Sequence, residues 1–282
     1  NLVGTNPDEE LDFISLKVNS LDIAIVDGYQ FLDYFKHGCL EKKIKLVLID
    51  DLLINNIKAD LIINHSPGIN ESDYRPLNTT FCLGLDFALI QDCFLDQANS
   101  IIDSSHKDKG IFLSLGGSDP ENLTPNLLSF LIRNTKANIN CVLGPLNKNS
   151  DLIMKKFEDC SSRIVFHNNI SSEEIRKLMI SSKIGICAAS TISIEAISCR
   201  LPLIAGWSAP NQLRFYTEAC RLGLARGIGN FEEMNHNFLL ATIEELISSK
   251  KSREEIIRNQ IKFIDKKSPK RILNALNSIM KS

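Results

Sequence analysis

The 282-residue chain is 44% hydrophobic and 23% charged, an ordinary globular composition with room for two cores rather than one. Its 32 Lys and Arg against 34 Asp and Glu leave a formal charge of -2, which excludes a general basic field for nucleic acid. No apolar run approaches the roughly 20 residues that span a bilayer and no signal peptide is visible, so no membrane anchor is expected and a cytoplasmic location is.

Taken in chain order, residues 1–20 are polar with weak helical spacing at Leu11, Ile14, Leu16 and Val18. Apolar runs then read as short buried strands at Leu21–Val26, Ile44–Ile49, Ala59–Ile63 and Phe81–Leu85, with a helical pattern over Gln30–Lys42. Buried runs separated by helix-length segments indicate βαβ units and a parallel sheet. The first three runs end in Asp27-Gly28-Tyr29, Asp50-Asp51 and Asn64-His65-Ser66-Pro67. Polar Gln97–Lys109 reads as a linker, which divides the chain into an N-terminal domain, 1–103, and a C-terminal domain, 104–282.

Beyond the linker the alternation restarts. Strands are expected at Ile111–Leu115, Asn138–Leu143, Arg163–Phe166, Ile184–Ala188 and Leu203–Ala205. Helices are expected from Pro125, with Thr124 as N-cap, near Ser150–Glu158, over Ser172–Ser182, over Thr191–Ser198 and near Asn211–Leu222. Ser171 followed three residues later by Glu174 gives a capping box for the third of these. The C-terminus reads as helices Phe231–Ser249, Arg253–Ile264 and Pro269–Met280. Its Lys/Arg-rich stretch also carries Glu254, Glu255 and Asp265, so it reads as a solvated helix face. Eight cysteines are scattered without a CxxC; Cys82, Cys141 and Cys187 fall in apolar strands, where a thiol serves as a small buried hydrophobe. A reducing compartment follows, with neither a disulfide framework nor a zinc site.

Two strand-to-helix junctions carry the chemistry. In Ile111–Asn122 (IFLSLGGSDPEN) a buried strand runs into Gly116-Gly117 and Ser118. Glycines allow close approach, successive N–H groups point outward, and a helix N-terminus carries partial positive charge, so such a junction can bind an anion. A turn that merely needs positive φ would look the same. In the second junction, Ala188-Ala189-Ser190-Thr191 opens a helix with hydroxyls and N–H groups suited to a diphosphate, and Glu195 lies one turn on, placed to accept bonds from ribose hydroxyls. Its plain alternative is an ordinary N-cap at Ser190 or Thr191, with Glu195 favouring the positive helix end.

The order LSLGGSDPENLT, then CAASTISIEAISCRLPLI, then Asn211-Gln212 resembles the C-terminal half of the GT-B nucleotide-sugar proteins related to the peptidoglycan transferase MurG. It most closely resembles the UDP-sugar hydrolases of pseudaminic-acid biosynthesis (PseG) and the related spore-coat polysaccharide proteins. IVDGYQF, VLIDD, DLIINHSPG and LGLDFALI in the first half agree, so the likeness runs from about Leu21 to about Gly223. The resemblance implies an α/β, GT-B-like fold of two Rossmann-like domains whose parallel sheets face across a cleft. It implies a reaction in which water attacks the anomeric carbon of a UDP-linked 2,4-diacetamido-2,4,6-trideoxyhexose, releasing UDP and free sugar with inversion. Gly116, Gly117 and Ser118 then approach the diphosphate, as do Ser190 and Thr191, while Glu195 holds the ribose. Asn211 and Gln212 lie near nucleotide or sugar, and Tyr29 faces the sugar from the other domain. Asp27 and Asp51 end strands at the same cleft; each is equally readable as a turn-forming Asp. The partner expected is a small-molecule UDP-sugar, with no cofactor and no metal. The oligomeric state stays open.

The chain departs from that pattern in three places. The family's general base is a His in a Gly-rich loop of the N-terminal domain, and no such loop is found. Of His37, His65, His106, His167 and His236, only His65 lies in a plausible cleft loop, and it is the wrong loop for the family's base. With Asn1 in place of an initiator Met, this leads to the expectation that the first strand–helix–strand–helix portion is missing and the N-terminal domain incomplete. Finally, Ile194 stands before Glu195, where relatives often carry a polar or bulky aromatic residue; that bears on the sugar more than on the nucleotide. The alternatives are a GT-B transferase using the same donor and a catalytically silent UDP-sugar-binding protein.

Overall fold

The computed structural model describes residues 23–27, 44–53, 58–74, 78–98 and 110–281. The chain packs as two compact units, residues 1–89 with 267–282, and residues 90–266.

The first unit is built on four parallel strands, β1 (Ile23–Asp27), β2 (Lys45–Ile49), β3 (Leu61–Asn64) and β4 (Thr80–Leu83), in that spatial order. The central strands β2 and β3 are apolar on both faces because both are covered. Leu46, Leu48 and Ile62 pack with Ile69 and Tyr74 on one face. Val47, Leu61, Ile63 and Cys82 on the other meet Ile279, Ile272, Ala275 and Leu276 of the last helix, Ser268–Lys281. The Ser268 hydroxyl donates to the Ala88 carbonyl at 2.7 Å, which fixes where that helix begins.

The second unit carries a six-stranded parallel sheet. Its strands are β5 (Ile111–Ser114), β6 (Ile139–Leu143), β7 (Ile164–Asn168), β8 (Ile184–Ala188), β9 (Leu203–Trp207) and β10 (Arg226–Asn230). The order is β10-β9-β8-β5-β6-β7. The chain first winds outward from β5 to β7, then returns to β8 and winds the other way. Neighbouring β5 and β8 therefore form the topological switch point, where the connections diverge and leave a crevice beyond the strand ends. The helices of this unit are α1 (Asp92–Ala98), α2 (Thr124–Asn134), α3 (Ser150–Lys156), α4 (Ser172–Ser181), α5 (Thr191–Ser198), α6 (Pro210–Arg221), α7 (His236–Ser248) and α8 (Lys250–Gln260), and α9 is the Ser268–Lys281 helix of the first unit. Leu127, Leu128 and Leu131 of α2 and Leu239, Ile243 and Leu246 of α7 bury one core with Ile111, Leu113, Ile186 and Ile204.

Four expectations are corrected. The division of the chain differs from 1–103 and 104–282: α1 buries Phe94, Leu95 and Ala98 within the second unit, and α9 belongs to the first. The expected linker is helical at Gln97 and Ala98, with Arg176 donating to Gln97 Oε1 at 2.6 Å; its remainder lies outside the described residues. Thr124 does not cap α2. The carboxylate of Asp119 does, accepting from the N–H groups of Leu123 (2.9 Å) and Thr124 (3.0 Å). A helix over Phe231–Ser249 is replaced by one from His236, and β10 precedes it; the strand RGIGN lacks the apolar run by which the others are legible. The Ser171–Glu174 capping box stands as expected.

Candidate functional site

Beyond β5, Leu115 leads to Gly116 at φ 92°, a left-handed conformation that a side chain would strain. Beyond β8, Ser190 is the N-cap of α5 in an extended conformation, and its side chain makes no cap hydrogen bond. A β-carbon built on Gly116 would stand 3.6 Å from Ser190 Oγ, so the two junctions face each other directly. Between them opens a cavity of about 450 Å³, within the range of small-molecule sites. Gly116, Gly117, Ser190, Thr191 and Glu195 all line it.

The cavity wall has two kinds of surface. The Gly116-Gly117 turn and the first turn of α5 bring backbone N–H groups and the positive end of a helix dipole. Pro145, Ile170, Ile175 and, from that same first turn, Ile192 bring apolar surface. Glu195 sits on α5 about 6 Å along the axis from Thr191. Among the described residues its carboxylate has no hydrogen bond or ion pair, and burial alone pushes its pKa up to about 7. An enclosed carboxylate without a partner is costly, and a ligand with hydroxyl donors would relieve that cost.

Sequence reasoning missed the rest of the lining. Gly144 and Pro145 follow β6, and Asn169, at φ 54°, and Ile170 follow β7. The Leu146 N–H donates to the Gly117 carbonyl at 2.9 Å, so the β6 loop braces the Gly-Gly turn. The signal that could have found them is position: they end the two strands next to β5 on one side of the switch point.

Ser118, Asn211 and Gln212 are not among the residues that line the cavity. Ser118 is exposed. Gln212 is occupied locally: its Oε1 accepts from the N–H groups of Ser208 (2.9 Å) and Ala209 (3.5 Å), capping α6, and Asn211 beside it is exposed. Tyr29 lies outside the described residues, as do His37 and His106.

In the first unit, Asp27, Asp51 and His65 stand at the ends of three adjacent strands. Burial raises the Asp51 pKa, and the charge of Asp27 adds to it. The turn after β2 is held by Asp50, which accepts from the Leu52 N–H (3.0 Å) and the Tyr74 hydroxyl (2.9 Å). Burial lowers the His65 pKa to about 4, and its Nδ1 accepts from the Leu89 N–H at 3.0 Å. That bond places the proton of the neutral ring on Nε2, which makes the outer nitrogen a donor. His65 therefore acts as a base only by giving up the Leu89 bond.

The expected burial of Cys82, Cys141 and Cys187 is observed, and desolvation raises the pKa of all three thiols, to about 11 and about 12 for the first two. Among the described residues no helix is long and apolar enough to cross a membrane.

No family profile matches the chain. Over 194 residues it is 25% identical to an uncharacterized protein of Methanocaldococcus jannaschii; the match covers 65% of this chain and 40% of that protein, so the chain spans well under half of its relative. Among solved structures it is similar to MurG of Acinetobacter baumannii, with a TM-score of 0.62 at 10% identity, covering 96% of this chain and 77% of MurG. It is similar to S. aureus MnaA, solved with UDP, with a TM-score of 0.64 at 13% identity over 98% and 80% of the two chains. The pneumococcal O-GlcNAc transferase GtfA, in complex with UDP and GlcNAc, gives 0.62 at 13% identity over 97% and 60%. These likenesses establish the fold: the chain has the GT-B architecture of two Rossmann-like domains with parallel sheets.

Proposed function

We propose that the second unit binds the nucleotide of a UDP-sugar and that the chain cleaves the bond between sugar and diphosphate with water. One observation carries the nucleotide assignment: an unpartnered carboxylate, Glu195, one helical turn from an uncapped helix N-terminus that faces a Gly-Gly turn across a single cavity. Donors for a diphosphate and an acceptor for a vicinal diol thus stand at the spacing of phosphate and ribose. The apolar walls at Pro145, Ile170 and Ile175 suit the face of a base, and the solved relatives MnaA and GtfA carry UDP.

In this reading the water oxygen bonds to the anomeric carbon as the bond to the diphosphate oxygen breaks. The electron pair leaves on the diphosphate, where preorganised N–H groups and the Ser190 and Thr191 hydroxyls stabilise it. The water proton passes to a general base. The resemblance to the PseG hydrolases supports hydrolysis of a UDP-diacetamido-trideoxyhexose. A second reading, transfer of the sugar to an acceptor, is supported by the likeness to GtfA.

Calorimetric titration with UDP tests the nucleotide assignment. Binding is expected, with Glu195→Ala weakening it by about tenfold or more, as for loss of a charge-assisted pair of hydrogen bonds; absence of binding at millimolar UDP ends the reading. Product analysis with UDP-sugars then separates the reactions: free sugar without acceptor means hydrolysis, and acceptor-dependent turnover means transfer.

A further inference from the structure

Arg200 follows directly on α5 and is only 3% exposed, at φ 55°. Its guanidinium donates to four backbone carbonyls: Ala98 at 2.6 Å, Ile264 at 2.8 Å, Gln260 at 2.9 Å and Ile197 at 3.2 Å. Ala98 ends α1, Gln260 ends α8, and Ile197 lies in the last turn of α5. Carbonyls of the last described residue of α1, the last residue of α8 and the last turn of α5 therefore converge on one cation. Each carbonyl oxygen has two lone pairs, so Ile197 and Gln260 accept the guanidinium as well as the N–H groups of Arg200 (3.1 Å) and Phe263 (3.2 Å), and the ends of α5 and α8 add the negative end of a dipole; this is how the buried cation is accommodated. Burial lowers its pKa to about 10, so it stays charged at neutral pH. Next to it, the Ser198 hydroxyl donates to the Phe94 carbonyl at 2.6 Å, and Gln260 Nε2 donates to Leu201 (2.9 Å) and Leu224 (3.0 Å).

The carbonyls chosen are telling. Residues 90 and 266 bound the second unit, so α1 is where the chain enters it and residues 261–264 are where it leaves. The other end of α5 opens the nucleotide cavity. We propose that Arg200 is a positioning residue for the nucleotide site, tying the helix that meets the diphosphate to both segments by which the chain enters and leaves the second unit. This rests on the nucleotide assignment above.

The consequence follows from linkage. Helix α5 is only eight residues long, so it opens as one piece. A ligand that binds only when α5 is closed suppresses its opening by a factor of 1 + [L]/Kd. Any segment whose opening requires release of the α5 tail gains protection up to that factor. A lysine could keep the charge but not reach four carbonyls with a planar fork.

Hydrogen exchange of the full chain, with and without UDP at about 100 times Kd, reads this directly. Slowed exchange is expected at 114–118 and 190–195, and also at 92–98 and 256–264. In Arg200→Lys the cavity segments keep their UDP protection and the two distant segments lose it. A purely structural role would speed exchange equally with and without UDP and leave the ratio unchanged. Protection confined to the cavity segments in the unaltered protein overturns the proposal while leaving the nucleotide reading intact. No protection anywhere overturns both. Should Arg200→Lys fail to fold, Ser198→Ala must weaken UDP protection at 92–98; unchanged protection there overturns the proposal.

Discussion

Gly144 stands so close to Gly116 that a β-carbon on Gly144 would lie 2.3 Å from the Gly116 carbonyl oxygen, and equally close to that of Gly117. The loop after β6 thus lies directly on the turn after β5, and only a residue without a side chain allows it. Gly144→Ala must push backbone against backbone. It should cost about 1–3 kcal/mol of stability, the range for overpacking, and weaken UDP binding as the turn shifts. Gly117→Ala is the contrasting variant: its β-carbon would meet nothing within 4 Å. It should fold as stably as the parent and, on the proposed nucleotide reading, weaken UDP binding by placing a methyl group on the cavity wall. Denaturant unfolding and UDP titration of the two variants separate the effects.

Asp119 caps α2 from four and five residues upstream, buried and at φ 42°. Asp119→Ala leaves two N–H groups of Leu123 and Thr124 without their acceptor and should destabilise by about 1–2 kcal/mol, as for loss of an N-cap. Asp119→Asn keeps one acceptor oxygen and tolerates the left-handed backbone, so it should recover part of that loss. The measurement is the denaturant midpoint of each variant.

How far the sequence carried these conclusions depended on what each position encodes locally. Strands such as Ile111–Ser114 and Ile184–Ala188 are legible because burial on both faces demands an unbroken apolar run. Glu195 was legible because helix spacing places it one turn from Thr191. Asn169 and Ile170 were not: they act only through the fold, which sets the end of β7 beside β6 and so at the cavity wall. Gln212 carries a local role that spacing does not reveal: its carboxamide oxygen accepts from the N–H groups of Ser208 and Ala209 at the start of α6. From sequence the nearest hydroxyl, Thr124, reads as the cap of α2, because a carboxylate reaching forward over a tight turn leaves no fixed spacing to read.

His65 is held neutral by burial, with its pKa lowered to about 4. In the unfolded chain it titrates near 6.5. Folding therefore leaves it unprotonated where the unfolded chain binds a proton, and stability is lost as pH falls from about 6.5 toward 4. His65→Gln, which cannot take up a proton, should flatten that part of the pH–stability curve. In the unaltered protein, NMR titration of the ring should show no change above about pH 5. A ring that titrates near 6.5 would contradict both the burial and the Leu89 bond.

Glu195 shifts in the opposite sense, with opposite consequences. Its pKa rises from 4.5 to about 7 because the cavity desolvates the carboxylate. The folded state therefore holds a proton that the unfolded chain releases. Stability is full below about pH 4.5, falls as pH rises to about 7, and is level above that. The total loss is at most roughly 3 kcal/mol, since one pKa unit corresponds to about 1.4 kcal/mol. Glu195→Gln removes the ionisation and should stabilise the ligand-free protein at pH 8 by up to that amount, while leaving stability at pH 4 unchanged. The same substitution should weaken UDP binding, because the amide presents one acceptor oxygen to a diol that the carboxylate could meet with two. A gain in stability joined to a loss of binding is what a site residue produces. A substitution that merely damaged packing would lose both, so thermal unfolding with and without UDP at pH 8 decides the matter.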